Sequence, residues 1–372
     1  MKRIILSGGG TGGHIYPAVS VAEALKERYG NEVEILFIGA EGRMEMEKIP
    51  ALGYKIVGLP IAGLQRRLEW RNLLLPFKVI SSLIKAQSVI RQFKADIVVG
   101  FGGYASAPVL WAASECGVPT IIQEQNSYAG LTNKIVGGRA ETICVAYEGM
   151  EDFFPKSNIV LTGNPLRGKF GNEENTTLRS EALKYFELDD ERPVVLVVGG
   201  SLGTRTLNNM MCRWIEKLDG ARPEVQVIWQ TGKIYEREMR SFIEAVPTDG
   251  VWQGAFLERM DLAYAAADLV ISRSGACTVS ELCLVAKPTI FVPSPNVAED
   301  HQTKNALALV DRDAALMVAD CDAVERAMTR AVETLKDEKL LETLKDNIAK
   351  LASPDAAHLV VNEIDKVLTC DE

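Results

Sequence analysis

The chain has 372 residues, a length that predicts two domains because a single hydrophobic core seldom extends over so many residues. Hydrophobic residues make up 47% and charged residues 24%, which is typical of a globular protein, and the net charge of −9 argues against a nucleic-acid binder. Seven cysteines without a Cys-x-x-Cys pair argue against a disulfide framework or a zinc site and favour a reducing, cytoplasmic compartment.

The first predicted element is a strand, because the chain opens on the run Arg3-Ile4-Ile5-Leu6 without the apolar core of a signal peptide. No run reaches the ~20 apolar residues that a membrane-spanning helix needs. The helical stretch AVSVAEALKERYG follows and ends on Gly30, a typical C-terminal cap. Six more strands are predicted in the first half, namely VEILFIG, KIVGLP, DIVVGF, TIIQE, TICVA and NIVLTG. This alternation predicts a parallel sheet covered by helices on both faces.

A second domain is predicted after Gly163-Asn164-Pro165, where the polar stretch GKFGNEENTTLRS reads as a linker. The run PVVLVVGGSLGTRTLNNMM then repeats the order of strand, glycine turn and helix. Four more strands follow, in VQVIWQTG, LVISRSGA, PTIFVPSP and ALMVAD. We therefore expect an α/β protein with two Rossmann-like domains whose parallel sheets face each other across a cleft. Ligands of such sheets bind beyond the carboxyl ends of the strands.

The stretch GGGTGGHIYPA, residues 8–18, places five glycines and the first histidine in one strand-to-helix turn. Glycine lets backbone approach a ligand closely, and a helix N-terminus favours an anion. A tight turn needs fewer glycines, so we favour a ligand over a purely structural turn. His14 in this loop is a candidate general base, although an isolated histidine is often structural.

Gly8, Gly10 and Gly13 also match the Gly-x-Gly-x-x-Gly fingerprint of dinucleotide binding. That interpretation requires an acidic residue at the end of the second strand, where it would bind a ribose. Glu32 and Glu34 precede or begin that strand, whereas Glu41 lies past its end but rather far along the chain. An NAD-dependent oxidoreductase is therefore the weaker alternative.

Two motifs in the second half favour phosphate and ribose binding. In GGSLGT, residues 199–204, Ser201 can donate to a phosphate or cap a helix. In SRSGACTVSELCLVAKP, residues 272–288, a helix is predicted from about Cys277. Glu281 in its first turns can accept two hydrogen bonds from a ribose diol, or merely complement the helix dipole.

The polar stretch NVAEDHQTKNA, residues 296–306, combines acids and amides that suit the hydroxyls of a sugar. It lacks the ligand spacing of known zinc motifs, so a metal site is disfavoured, and a polar loop with a helix cap is the structural alternative. Five residues carry this pattern, namely Glu299, Asp300, His301, Gln302 and Asn305.

An acidic chain concentrates basic and bulky apolar residues between positions 61 and 85, a pattern that favours docking on an anionic membrane surface. The alternative is a helix that packs on the sheet with its arginines in water. The predicted patch comprises Arg66, Arg67, Trp70, Arg71, Leu74, Leu75, Phe77 and Lys78.

Together these motifs resemble the MurG family of bacterial cell-wall glycosyltransferases. The resemblance rests on GGGTGGHIYPA, GFGGYASAP, QEQNSYAGLTNK, GNPLR, GGSLGT, RSGACTVSE and DHQTKNA, which run in the family's order over residues 8–306. It implies a GT-B fold with an acceptor-side domain over 1–162, a UDP-GlcNAc-binding domain over 163–349, and a C-terminal helix, about residues 350–372, that packs back on the first domain. The implied reaction is inverting transfer of GlcNAc from UDP-GlcNAc to the 4-hydroxyl of the muramyl sugar of lipid I, which yields lipid II.

The resemblance also implies site residues, with no cofactor and no metal at the donor site. Leu257 stands where the family usually has isoleucine and meets the uracil through its backbone, and Cys277 is a second conservative departure. The implied donor contacts are Thr11, Gly12, Gly13, Asn126, Arg167, Ser201, Leu257, Ala276, Cys277, Thr278, Val279, Ser280, Glu281 and Gln302. The implied acceptor-side residues are Gly102, Gly103 and Tyr104, with Trp111 at the edge of the membrane patch.

The implied partners are UDP-GlcNAc, lipid I and the cytoplasmic face of the plasma membrane, with other cell-wall synthesis proteins as candidates. Two alternatives besides the oxidoreductase remain open. One is a related transferase that makes diacylglycerol glycolipids, and the other is a membrane scaffold that binds a UDP-sugar without turnover.

Overall fold

A computed structural model describes residues 1–61, 75–166, 175–200 and 202–370 of the chain. The strands of these residues are β1 Lys2–Ser7, β2 Val33–Ala40, β3 Lys55–Leu59, β4 Ile97–Gly100, β5 Thr120–Glu124, β6 Thr142–Val145, β7 Ile159–Leu161, β8 Val194–Val198, β9 Gln226–Gln230, β10 Val251–Gly254, β11 Leu269–Ser272, β12 Thr289–Phe291 and β13 Leu316–Met317. The α-helices are α1 Gly12–Tyr29, α2 Glu45–Ala51, α3 Leu75–Phe93, α4 Ser106–Glu115, α5 Leu131–Val136, α6 Asn175–Tyr185, α7 Arg205–Leu218, α8 Glu236–Ala245, α9 Met260–Ala266, α10 Ala276–Leu284, α11 His301–Val310, α12 Asp320–Leu335, α13 Glu338–Ala349 and α14 Ala356–Cys370.

The first compact unit contains Met1–Gly168 and Ser353–Glu372. Its seven strands form one parallel sheet in the order β3-β2-β1-β4-β5-β6-β7. Ser7 pairs with Gly100, and Gly100 with Ile122, so β1, β4 and β5 end at the same edge of the sheet. The loops that follow these three strands therefore meet there.

The strand residues of this sheet alternate between two hydrophobic cores. Ile4 and Leu6 lie in the core beneath α1 and α14, whereas Ile5 lies in the core beneath α3 and α4. Burial of both faces explains the nearly continuous apolar runs that predicted a parallel sheet.

Helix α14 packs on α1 and closes one of these cores. Its residues Val360, Val361 and Ile364 are fully buried. At the rim of this contact Asp365 accepts a hydrogen bond from Arg28 at 2.8 Å. The last helix of the chain is thus part of the first unit.

The second compact unit spans Lys169–Ala352 and contains a six-stranded parallel sheet in the order β10-β9-β8-β11-β12-β13. Val195 and Val197 of β8 lie in a core with residues of α7 and α12. The buried Trp229 belongs to the same core, and its indole N–H donates to Asn208 Oδ1 at 2.9 Å. The prediction of two Rossmann-like α/β units is confirmed.

The units divide at slightly different positions from those that the sequence predicted. The boundaries lie after Gly168 and Ala352 rather than after residues 162 and 349. The backbone amides of Thr162 and Gly163 both donate to the carbonyl of Val145, at 3.0 and 3.1 Å, so this stretch stays attached to the first sheet. Among the helices that the structure describes, none is long and apolar enough to cross a membrane.

Candidate functional site

The glycine loop of the first unit connects β1 to α1 and packs tightly against its own unit. A Cβ on Gly9 would overlap the carboxylate of Glu45, and a Cβ on Gly10, whose φ is +88°, would lie 3.0 Å from the ring of Tyr104. Glu45 is 1% exposed, and its two carboxylate oxygens accept hydrogen bonds from the backbone amides of Gly10, at 3.2 Å, and Ala40, at 3.1 Å. This buried carboxylate, which the sequence did not single out, therefore holds the shape of the loop.

Helix α1 begins at Gly12, directly after the extended residue Thr11. Because the first amides of a helix lack partners within the helix, its N-terminus favours an anion. The carbonyl of Thr11 accepts the amides of His14 and Ile15 at 3.2 and 3.3 Å. The predicted residues Thr11, Gly12 and Gly13 thus form a helix start that suits a phosphate.

His14 lies in the first turn of α1 and is half-buried. Its Nδ1 lies 3.0 Å from Oε1 of Gln125, a buried residue just after β5. Gly102 and Gly103 have positive φ angles of +88° and +78°. A Cβ on either would lie 3.1 to 3.3 Å from the imidazole ring. The loops after β1, β4 and β5 therefore meet at His14.

Tyr104 follows these glycines, and burial raises the pKa of its phenol. Its ring lies against Gly10, and the guanidinium of Arg43 is 5.9 Å from the ring centroid. A Cβ on Gly103 would overlap the carbonyl oxygen of Gly9. The predicted acceptor-side residues therefore adjoin the glycine loop, as expected for loops that follow neighbouring strands.

Asn126 is held by Glu124, the last residue of β5. Glu124 Oε1 accepts the backbone amide and the side-chain amide of Asn126 at 3.0 and 3.2 Å. Its Oε2 accepts the amide of Gly130 at 2.9 Å and Nδ2 of Asn133 at 2.8 Å. Four hydrogen bonds to a carboxylate that is 1% exposed fix the QEQNSYAG loop.

In the second unit, α10 begins at Ala276, one residue earlier than predicted, after the extended residue Gly275. Glu281 lies in its second turn, and its Oε2 accepts the hydroxyl of Tyr264 at 3.3 Å. Burial raises the pKa of Glu281 to about 7, and the hydrogen bond from Tyr264 partly offsets this rise. Burial also raises the pKa of the Cys277 thiol to about 12. The Cys277 thiol is therefore protonated at neutral pH.

The predicted residues of α10 form its first turns. Val279 points into the core, whereas its neighbours on the helix are partly exposed. These partly exposed residues are Ala276, Cys277, Thr278, Ser280 and Glu281.

Gln302 lies in the first turn of α11, next to the loop that precedes α10. Its Oε1 accepts the amide of Ser294 at 2.8 Å, and its carbonyl accepts the hydroxyl of Ser274 at 2.8 Å. The side-chain amide is thus oriented with Nε2 as the remaining donor. Glu299 and Asp300 just before it have positive φ angles of +53° and +52°, a strained conformation for residues other than glycine.

The glycine turns after β8 and β9 are in backbone contact. A Cβ on Gly203 would overlap the carbonyl oxygen of Thr231. Thr204, which precedes α7, donates its hydroxyl to the carbonyl of Gly199 at 2.9 Å. Ser201 of this turn and Arg167 of GNPLR lie outside the described residues. Leu257 is buried in the loop after β10.

Helix α3 carries an exposed apolar face. Phe77, Ile80 and Ile84 lie on one side of this helix and are 72%, 55% and 64% exposed. Lys78 is exposed beside them, and Trp111 on α4 lies beneath the guanidinium of Arg139, 3.9 Å from the ring centroid. Of the remaining patch residues, Leu75 begins α3, and the others lie outside the described residues; these are Arg66, Arg67, Trp70, Arg71 and Leu74.

The oxidoreductase alternative finds little support in the first unit. Glu41, which directly follows β2, accepts a hydrogen bond from Lys85 of α3 at 2.8 Å, and its Cγ lies against Gly58 of β3. The carboxylate is therefore paired with a lysine rather than directed toward the glycine loop. Within the described ranges, no group of three or more histidine, cysteine, aspartate or glutamate side chains is arranged to hold a metal.

Comparison with known proteins places both units in one family. Residues 4–145 match the glycosyltransferase family 28 N-terminal domain, and residues 194–360 match the glycosyltransferase family 28 C-terminal domain. A Parabacteroides distasonis protein named UDP-N-acetylglucosamine--N-acetylmuramyl-(pentapeptide) pyrophosphoryl-undecaprenol N-acetylglucosamine transferase is 53% identical over 98% of both chains. A Phocaeicola vulgatus protein with the same name is 52% identical over 98% of this chain and 96% of its own. The crystal structure of Acinetobacter baumannii MurG superposes with a TM-score of 0.78 at 29% identity, over 98% of this chain and 100% of that one.

Proposed function

The chain belongs to the MurG group of glycosyltransferase family 28, and from this membership we propose that it converts lipid I into lipid II in peptidoglycan synthesis. The donor is UDP-N-acetylglucosamine, and the acceptor is N-acetylmuramyl-(pentapeptide) pyrophosphoryl-undecaprenol. One observation carries this proposal. The chain is 53% and 52% identical, over 98% of its length, to two transferases that are named for this reaction. The two parallel α/β units are those of a GT-B fold.

The second unit binds the donor in this proposal. The N-terminus of α10 meets the diphosphate, because helix N-termini favour anions. Glu281 accepts hydrogen bonds from the ribose diol, and Nε2 of Gln302 donates to a hydroxyl of the GlcNAc ring. The backbone of Leu257 meets the uracil. The further donor contacts are Thr11, Gly12, Gly13, Asn126, Arg167 and Ser201, of which the last two are proposed from the sequence alone.

The first unit carries out the acid–base chemistry. Nε2 of His14 takes the proton of the acceptor 4-hydroxyl as that oxygen attacks the anomeric carbon. The new glycosidic bond forms on the face opposite the leaving group, so the configuration inverts. The bond from the anomeric carbon to the β-phosphate oxygen breaks, and UDP leaves with the electron pair. Gly102, Gly103 and Tyr104 line the acceptor side, since they adjoin His14 and the glycine loop.

The enzyme is peripheral at the cytoplasmic face of the membrane in this proposal, since its acceptor carries an undecaprenyl chain. The exposed face of α3, with Phe77, Ile80 and Ile84 beside Lys78, supports a docking surface for anionic lipid. Trp111 extends this surface onto α4. The basic residues Arg66, Arg67 and Arg71 complete it from the sequence.

No Asp-x-Asp motif lies in the loops that we assign to the diphosphate, and we propose that the leaving group is stabilised by helix N-termini, Ser201, Thr278 and Arg167. The test is to incubate the protein with radiolabelled UDP-GlcNAc and a lipid I analogue in detergent, with and without chelator. Acceptor-dependent label in the lipid fraction that survives chelator is expected. Transfer to diacylglycerol instead, or binding of UDP-GlcNAc without transfer to either lipid, would contradict the acceptor assignment.

A further inference from the structure

We propose that Gln125 is a positioning residue that fixes the tautomer of His14, so that Nδ1 carries the proton and Nε2 carries the lone pair. The catalytic consequence rests on the proposed function, in which His14 Nε2 is the base. The tautomer itself follows from the hydrogen bonds of Gln125, Gln123 and Asn164, three buried amides behind the imidazole.

The side-chain amide of Gln125 has only one acceptable orientation. Its Nε2 lies 2.8 Å from the carbonyl oxygen of Phe101, 3.1 Å from the carbonyl oxygen of Gln123 and 2.6 Å from Oε1 of Gln123. Reversing the amide would place Oε1 among three oxygen atoms, none of which has a proton to donate. Oε1 therefore faces His14.

The side-chain amide of Gln123 holds Gln125 in this orientation. Nε2 of Gln123 donates to Oδ1 of Asn164 at 3.2 Å, which leaves Oε1 of Gln123 as the acceptor for Gln125. Nδ2 of Asn164 donates in turn to the backbone carbonyl of Gln125 at 2.9 Å. All three side chains are at most 2% exposed, so water does not compete for these bonds.

The imidazole of His14 faces Gln125 through Nδ1 and has two glycines beside it. Its Nδ1 lies 3.0 Å from Gln125 Oε1, and an amide oxygen can only accept a hydrogen bond. A favourable contact therefore requires the proton on Nδ1. The backbone of Gly102 and Gly103 lies against the ring, where any Cβ would crowd Cε1, Nδ1 or Cδ2. The two glycines thus leave room for the imidazole beside Gln125.

A glutamine suits this site better than a carboxylate would. The loops around His14 begin a helix that favours anions, and the proposed substrates bring two diphosphates to the reaction. A carboxylate in place of Gln125 would repel these groups, whereas a neutral amide fixes the tautomer without adding charge.

The tautomer can be measured directly, because the chain has only three histidines, His14, His301 and His358. We would record nitrogen NMR spectra of the protein labelled with 15N-histidine and assign His14 by its absence in His14→Ala. The neutral ring is expected to carry its proton on Nδ1. In Gln125→Met, which keeps the size of the side chain but removes the acceptor, the proton is expected to shift toward Nε2. A proton on Nε2 in the unaltered protein would overturn the inference.

A double-mutant cycle measures the effect on the reaction. Gln125→Met is expected to lower kcat by about 10²-fold, within the range that general-base catalysis contributes, while KM for UDP-GlcNAc stays unchanged. In the His14→Ala background the same change should have no further effect, because Gln125 acts only through His14. Equal losses in both backgrounds would mean a merely structural role and would overturn the inference.

Two further points keep the test decisive. The tautomer in the unaltered protein needs only His14→Ala for its assignment, which covers the case in which the Met variant fails to fold. Gln226→Met removes a buried amide of the second unit that bonds to the backbone of Asp189 and Arg192, and it should leave kcat unchanged. Absence of lipid transfer by the unaltered protein would contradict the proposed function alone, since the NMR measurement does not require activity.

Discussion

The hydroxyl of Tyr264 donates to Oε2 of Glu281 at 3.3 Å, and this hydrogen bond helps to keep the carboxylate partly ionised at neutral pH. Burial raises the pKa of Glu281 to about 7, and the hydrogen bond from Tyr264 lowers it. The proposed ribose contact requires the ionised form, because hydroxyl groups donate more strongly to a carboxylate than to a carboxylic acid.

The affinity for UDP-GlcNAc should therefore fall as the pH is lowered through about 7, by up to about tenfold per pH unit. Calorimetric titrations between pH 6 and 8.5 would measure this dependence. Tyr264→Phe should move the midpoint to higher pH, and Glu281→Gln should abolish the dependence. An unchanged affinity over this range would contradict the role of Glu281.

The same carboxylate should make folding stability fall as the pH rises, whereas the affinity for UDP-GlcNAc should rise with pH. The pKa of Glu281 in the folded protein, about 7, is above its ordinary value of 4.5, so the folded state binds more protons between these values. Its contribution to the free energy of unfolding is therefore fully present below about pH 4.5 and is lost as the pH rises through about 7. Thermal unfolding of the ligand-free protein should show a smaller decline over this window in Glu281→Gln.

Replacement of His14 by alanine should lower kcat by about 10²- to 10⁴-fold, because a general base contributes this much. The KM for UDP-GlcNAc should change little, since the donor contacts of the second unit remain. Steady-state transfer to a lipid I analogue measures both constants. A loss of less than about tenfold would exclude His14 as the base.

Glu45→Ala should destabilise the first unit by about 2 kcal/mol, because it leaves the amides of Gly10 and the buried Ala40 without their acceptor. Chemical denaturation measures this change. Glu47→Ala is the matched control, since Glu47 is exposed on the same helix. The glycine loop should also lose its shape, so kcat/KM for the lipid acceptor should fall in Glu45→Ala and not in Glu47→Ala.

Gln302→Glu should weaken binding of the sugar part of the donor more than binding of the nucleotide part. The new carboxylate still accepts the amide of Ser294, but it has no N–H to donate to the GlcNAc ring. The affinity for UDP-GlcNAc should fall by about tenfold more than the affinity for UDP, since the loss includes a hydrogen bond to the sugar. Equal losses for the two ligands would show that Gln302 does not contact the sugar.

The double variant Phe77→Ser and Ile84→Ser should weaken binding to anionic vesicles by about 10²-fold or more, because burial of each side chain contributes about 1.5–3 kcal/mol. Flotation with vesicles that contain phosphatidylglycerol measures this binding. Leu161→Ser is the matched control, since Leu161 is 54% exposed on β7 rather than on α3. Transfer to a detergent-solubilised acceptor should remain unchanged in both variants.

The alternating pattern of strands and helices was readable from the sequence because buried parallel strands are continuous apolar runs. The run before Gly8 became β1, and the run before Gly199 became β8. His14 and Glu281 were found as candidates because each lies in the first two turns of a helix that follows a strand and a glycine-containing loop.

The partners of these residues could not be read in the same way. Gln125 lies 111 residues from His14, and Glu45 lies 35 residues from Gly10, so only the packed sheet brings them together. The glycine loop shows the same limit. A crowd of glycines indicated a ligand, but Gly9 and Gly10 also meet Glu45 and Tyr104, contacts that no local pattern shows.

The return of α14 to the first unit has a consequence for synthesis of the chain. Val360, Val361 and Ile364 bury one face of α1, yet they leave the ribosome only after all of the second unit. Domains generally fold as they emerge, the N-terminal one first. In this chain the first unit starts to fold first but is completed last. The second unit can fold while the first unit still exposes the apolar face that α14 will cover. A ribosome that stalls before α14 emerges therefore holds a chain whose first unit still exposes apolar residues of α1 to chaperones and proteases.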